Sequence, residues 1–128
     1  MAKIQYLNTD LDLHSEQDLR PLAEELKRRG LIVLHVTEGK TVKWTASFEA
    51  TTQLSDADSS IRAMLEAIEA LQGDSLELWK TCSFREFNAG YDCGDEPYGF
   101  SDGLSNETLR RLSAIGASLR LTLYPPSE

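Results

Sequence analysis

Between Asn88 and Ser105 the chain reads NAGYDCGDEPYGFSDGLS, placing Asp92, Cys93, Asp95 and Glu96 within five residues. Three carboxylates and a thiol in such proximity could help coordinate a cation or meet basic groups on a partner. Calcium takes about six to eight oxygen ligands and magnesium keeps several waters. The run lacks the alternating acids and fixed turn glycine of an EF-hand, so a metal site would have to draw on distant segments. Cys93 as a nucleophile needs a histidine within hydrogen-bond reach, and the chain offers only His14 and His35. The surrounding carboxylates are also the opposite of the electropositive settings that activate thiols. Gly39-Lys40-Thr41 has no upstream glycine pattern, so a phosphate-binding loop finds no support.

A second group of chemistry-bearing residues lies near the start. Asp10 and Asp12 stand two apart in a strand-like run and therefore on the same side, where they could share a proton or hold a hard cation. His14 follows the same parity. Candidate metal ligands are thus Asp10, Asp12, Asp92 and Asp95, and a metal-dependent hydrolase is one alternative reading if these carboxylates converge. His35 falls in a strongly apolar strand and is expected to be a packed neutral residue.

A binding role draws on the same long run. It holds four glycines, one proline and three aromatic rings, and connections of this length are usually functional or disordered. Tyr91, Tyr98 and Phe100 argue against disorder, because such rings find something to pack against. From Glu86 to Glu107 there are six acids and no lysine or arginine. Candidate binding residues are Tyr91, Asp92, Asp95, Glu96, Tyr98 and Phe100, with rings inserting into a partner and carboxylates meeting its basic groups.

These residues must be positioned by the elements around them. Ile4–Leu13 reads as a strand with a register change near its middle. Ser15 is expected to cap a helix with the stripe Leu19, Leu22, Ala23 and Leu26, ended by Gly30. Leu31–Val36 is a short apolar strand. A turn at Glu38-Gly39-Lys40 leads into a strand with Val42, Trp44, Ala46 and Phe48 inward and Lys43, Thr45, Ser47 and Glu49 outward. A helix then begins near Ser59 or Ser60 and stops at Gly73, followed by a short helix over Asp74–Thr81. Ser83–Tyr91 alternates as a strand, Ser105 caps a last helix ending at Gly116, and Leu119, Leu121 and Leu123 belong to a closing strand.

The order β-α-β-β-α-(short helix)-β-α-β predicts an α+β domain spanning residues 1–128. It matches a split βαβ or ferredoxin-like unit with an antiparallel or mixed sheet, helices on one face, and one additional α-β pair. The open face would then collect Asp10, Asp12, Lys43, Thr45, Ser47, Glu49, Arg120 and Thr122. That face lacks the aromatic and basic positions of an RNA-binding sheet.

Composition narrows the function classes. Thirteen basic and twenty-one acidic residues give a net charge of -8, which opposes general nucleic-acid and anionic-membrane binding. No apolar run reaches membrane-spanning length and the opening residues lack a signal-peptide core, so a cytoplasmic location is expected, with Cys82 and Cys93 reduced. No cofactor is implied.

The segments FREFNAGYDCGDEPYGF and SNETLRRL, with NTDLDLHSEQDL near the start, resemble a group of uncharacterised bacterial proteins of this length, over most of the chain. The resemblance implies a bacterial origin and carries no catalytic or binding residues. The sequence as a whole points to a small non-enzymatic interaction or ligand-sensing module, monomeric or homodimeric. Its partner would be a protein or a small molecule, and a basic one would suit the acidic run. Besides the hydrolase, a dimeric ferredoxin-like regulatory domain is the other alternative.

Overall fold

The computed structural model describes residues 2–51 and 54–126. Its elements run β1 (Gln5–Ser15), α1 (Arg20–Arg28), β2 (Leu31–Glu38), β3 (Trp44–Ala50), α2 (Ala57–Glu69), α3 (Gly73–Thr81), β4 (Phe84–Asp92), α4 (Asn106–Ala114) and β5 (Ser118–Tyr124). The fold is α+β, a five-stranded sheet in the order β2-β3-β1-β4-β5. β1 pairs antiparallel with both β3 and β4, β2 pairs antiparallel with β3, and β4 pairs parallel with β5. The sheet is therefore mixed. Among the described residues, no helix is long and apolar enough to cross a membrane.

β1 alternates between two environments. Thr9, Leu11, Leu13 and Ser15 are buried, while Asp10, Asp12 and His14 between them are half-buried. Leu11 sits opposite Phe48 on one side and Phe87 on the other, and these rings meet Leu22, Leu26, Ile61, Met64 and Leu65 from the helices. The helices thus gather on one sheet face. A register shift between Tyr6 and Asn8 marks the irregularity expected in this strand, nearer its start than its middle.

Several boundaries differ from the sequence reading. Ser15 does not cap α1: β1 stays paired through Ser15, which lies opposite Trp44. Its hydroxyl instead accepts from the Gln17 amide at 3.0 Å and bonds Thr81 Oγ1 at 2.8 Å. Pro21 can stand only in a first turn, and α1 accordingly begins at Arg20 with no side-chain cap at Leu19. α2 begins at Ala57, earlier than expected, because the Asp56 carboxylate caps the Ser59 amide at 2.8 Å. Val42 and Lys43 fall outside β3, so Lys43 leaves the open face for the turn, where it lies 3.8 Å from Glu38.

His35 is exposed and not packed. A register shift between Val33 and His35 inserts one residue and turns His35 toward the face that carries Ser47, its cross-strand neighbour.

Arg85 ties the ends of two helices together. Its Nη1 donates to the carbonyls of Trp79 and Cys82 at 3.0 and 2.9 Å, and its Nε donates to Gly116 at 3.0 Å. Gly116 adopts φ 74°, and a Cβ there would lie 2.7 Å from Arg85 Nη2. Ser105 caps α4 as the sequence predicts, accepting from the Thr108 amide at 3.1 Å.

Two substitutions measure these contributions. Phe87→Ala, at a fully buried position, should lower the unfolding free energy by about 3–5 kcal/mol in urea titration. Ser105→Ala should cost about 1 kcal/mol by loss of the cap. Near-equal costs would contradict this assignment of the core.

Candidate functional site

β4 ends with Ala89 and Tyr91 on the helix side of the sheet, and the chain then leaves as a loop from Cys93 to Leu104. This loop is held at both ends. The Cys93 amide donates to the Tyr124 carbonyl at 2.9 Å, Asp95 N to Ala2 O at 3.1 Å, and Ile4 N to Glu96 O at 2.8 Å. Gly94 permits this approach, since a Cβ there would fall 2.5 Å from the Ala2 carbonyl oxygen. At the far end, the Ser105 amide donates to Asp58 Oδ1 at 2.9 Å.

Between these anchors the loop folds back over Tyr91. The Phe100 ring meets Tyr91 edge-on with centroids 6.0 Å apart, and Tyr6 does the same from the sheet at 5.6 Å. The Tyr91 hydroxyl donates to Asp102 Oδ2 at 2.5 Å. Burial of the ring and then the adjacent Asp102 carboxylate raise the Tyr91 pKa, so this hydroxyl remains a protonated donor.

Beside Tyr91 lies the feature that defines the site. Leu119, Leu121 and Leu123 pair in register with Phe87, Ala89 and Tyr91 and share their side of the sheet. They are nonetheless 38%, 61% and 66% exposed. The reason is where α4 docks. Leu112 and Thr108 turn inward, and Arg111 forms a two-pronged ion pair with Glu69 of α2 at 2.9 and 2.8 Å. α4 therefore leans on α2 and leaves β5 uncovered. The result is a groove of about 430 Å³ floored by Tyr91 and the β5 leucines and roofed by Phe100 and Leu104, with Asp92 and Asp102 among its lining.

The candidate residues from the sequence divide accordingly. Tyr91, Asp92 and Phe100 line the groove. Asp95 and Tyr98 are exposed outside it, Tyr98 completely so, and Glu96 is half-buried where its carbonyl joins the N-terminal segment. Sequence reasoning missed Asp102, Leu104 and the three β5 leucines as site residues. The available signal was the last helix, whose expected apolar positions Leu109, Leu112 and Ile115 are too few to cover a whole further strand; of these, Leu109 stays exposed.

The open face carries the other candidates. Asp10 lies between Glu49 and Asn88, and Asp12 between Ser47 and Glu86. Their charges are answered from within. Asn8 donates to Asp10 and Glu49 at 3.0 and 3.1 Å, Ser47 donates to Asp12 at 2.7 Å, and Arg120 pairs with Glu86 at 2.7 Å. Thr122 donates to Asn88 at 2.7 Å, and His14 stacks on Phe84 with centroids 4.5 Å apart. Asp92 stands four residues along β4 from Asn88, roughly 13 Å away at strand rise. Asp10 and Asp12 are thus not brought together with Asp92 and Asp95. Among the described residues, no group of three or more His, Cys, Asp or Glu is arranged to hold a metal ion. Cys82 and Cys93 are both free thiols, and burial pushes Cys82 up to about 11.

The chain matches no family model, no curated protein and no solved structure. The site is therefore read from its geometry.

Asp10 supplies a pH test. Partial burial, with Asp12 and Glu49 beside it and His35 opposing them, pushes its carboxyl from 3.8 up to about 6. The folded state then binds a proton more tightly than the unfolded one, so this position favours folding at low pH and loses that contribution as pH rises through about 6. Asp10→Asn should raise the urea midpoint relative to the parent at pH 8, with the gain shrinking toward pH 4. A gain that grows on acidification would overturn the assignment.

Proposed function

We propose that this protein is a small non-enzymatic ligand-sensing module whose site is the groove between β5 and the 93–105 loop. The observation that carries this reading is the row of exposed leucines, Leu119, Leu121 and Leu123, continuing the buried row of β4 beneath an aromatic roof. Exposed apolar surface gains about 25 cal/mol per Å² when it is removed from water. The groove volume falls within the ~300–1,000 Å³ typical of small-molecule clefts.

Charge indicates the ligand class. Asp102 belongs to the groove lining, and no lysine or arginine occurs between Glu86 and Glu107. An apolar molecule bearing an ammonium or similar cationic donor suits this composition. Phe100 and Asp102 touch Tyr91 directly, so an occupant of the groove presses on the contacts that hold the loop. That coupling is the basis for sensing.

The order β2-β3-β1-β4 supports reading the first four strands as a ferredoxin-like unit extended by α4 and β5. A bacterial, cytoplasmic setting belongs to the same proposal. A second reading, capture of a basic protein partner, is favoured by Tyr98, whose ring stands fully exposed near Asp95 and Glu96 in the chain.

The test uses Nile red as a neutral apolar probe, displaced by a medium-chain alkylammonium or by the alcohol of the same length. The wild type should bind the dye saturably, and Phe100→Ser should weaken binding several-fold. The alkylammonium should compete roughly fivefold better than the alcohol at low salt, equivalent to about 1 kcal/mol for a partly exposed ion pair. Asp102→Asn should abolish that preference while leaving dye binding intact. Failure of the wild type to bind either probe would reject the groove as a ligand site.

A further inference from the structure

We propose that β5 pairs antiparallel with β5 of a second copy of this chain, so that the groove becomes one half of a cleft shared by two subunits. The inference rests on the groove reading for its function but not for its geometry. β5 is an edge strand, and unprotected edges are templates for pairing. Proteins blunt such edges with bulges, lysines or inward charges. The opposite edge, β2, carries a register shift between Val33 and His35. β5 has none of these devices. Its register with β4 runs unbroken from Ser118 to Tyr124, and its one charge, Arg120, lies on the open face paired with Glu86.

The sequence of the strand, SLRLTLY, suits a two-fold centred on Leu121. In that register Leu119 lies opposite Leu123 of the second copy, Leu121 opposite itself, and Arg120 opposite Thr122. Leucine meets leucine across the pair, and like charges are never directly opposed.

The exposed leucines support a second copy as the occupant. Leu119, Leu121 and Leu123 leave an apolar strip of about 300 Å² on the helix side of the sheet, within the range of the largest patch on an ordinary monomer. Edge pairing sets two such strips side by side, removes the facing flanks of the leucines from water and satisfies both open backbone edges. Pairing also supplies what one copy lacks. A single groove has its floor on β4 and β5 and its roof on the loop, and lies open beyond β5. The second copy extends the floor with its own leucines and brings its α4 and loop as the facing wall.

Sedimentation velocity under reducing conditions, over a range of micromolar concentrations, tests the proposal. Wild type should sediment as a dimer of the 14.3 kDa chain. Leu121→Arg and, separately, Leu123→Lys should raise the dimer dissociation constant at least hundredfold. Both positions are largely exposed, so circular dichroism should stay unchanged; Leu121→Met should retain the dimer and guards against a folding artefact. A wild-type monomer at every concentration, or a dimer that persists in both charged variants, would overturn the proposal. Nile red separates this outcome from the ligand reading. A monomer that still binds dye refutes the pairing alone, whereas a dimer that binds no dye refutes the ligand reading and leaves the pairing intact.

Discussion

The pairing of β1 on both sides is the constraint from which the rest of the molecule follows. Leu11 and Leu13 are fully buried, and each is flanked by residues of β3 and β4 on the same sheet face. A slip by one residue would turn these leucines to water and drive Asp10 and Asp12 into the core. That alternation fixes the register of both neighbours, and through β4 it fixes the side on which the β5 leucines emerge. The position of the groove is therefore set from the middle of the sheet.

Loop and strand then act together. Tyr91 belongs to the sheet but spends its hydroxyl on Asp102 of the loop, while the loop's first half is tied to the N-terminal segment and to Tyr124. A segment rich in glycine and acids is thereby given a defined path with few apolar contacts of its own. Such a segment can be held in place and still respond to what lies beneath it.

Much of this was legible because it is local. The Ser105 cap, the apolar stripe of α1, the alternation in β3 and the α3 helix all depend on residues within a few positions of one another. The α1 start was misread because Ser15 looks like a cap until strand pairing claims its backbone. His35 was misread because an inserted residue reverses parity, and a bulge has no strong signature in an apolar run such as LIVLHV. The groove was hidden for a different reason. Leu119, Leu121 and Leu123 read as core in sequence, and whether they are covered depends on the direction in which α4 leans. That direction goes with Thr108 and Leu112 turning inward and with the pairing of Arg111 and Glu69, forty-two positions apart. The convergence of Asp10 and Asp12 with the loop acids was likewise a question of distance along β4, which spacing alone does not answer.

The guanidinium of Arg85 carries a consequence for how such a sequence can drift. It serves three carbonyls from two helix ends at once, a task for a planar fork and not for the point charge of a lysine. The space it occupies is available only because Gly116 lacks a side chain and turns with φ 74°. Position 85 in β4 and position 116 after α4 are therefore coupled through space. A side chain at 116 would push the fork off its carbonyls, and a shorter residue at 85 would leave all three unserved, whatever happens to the groove.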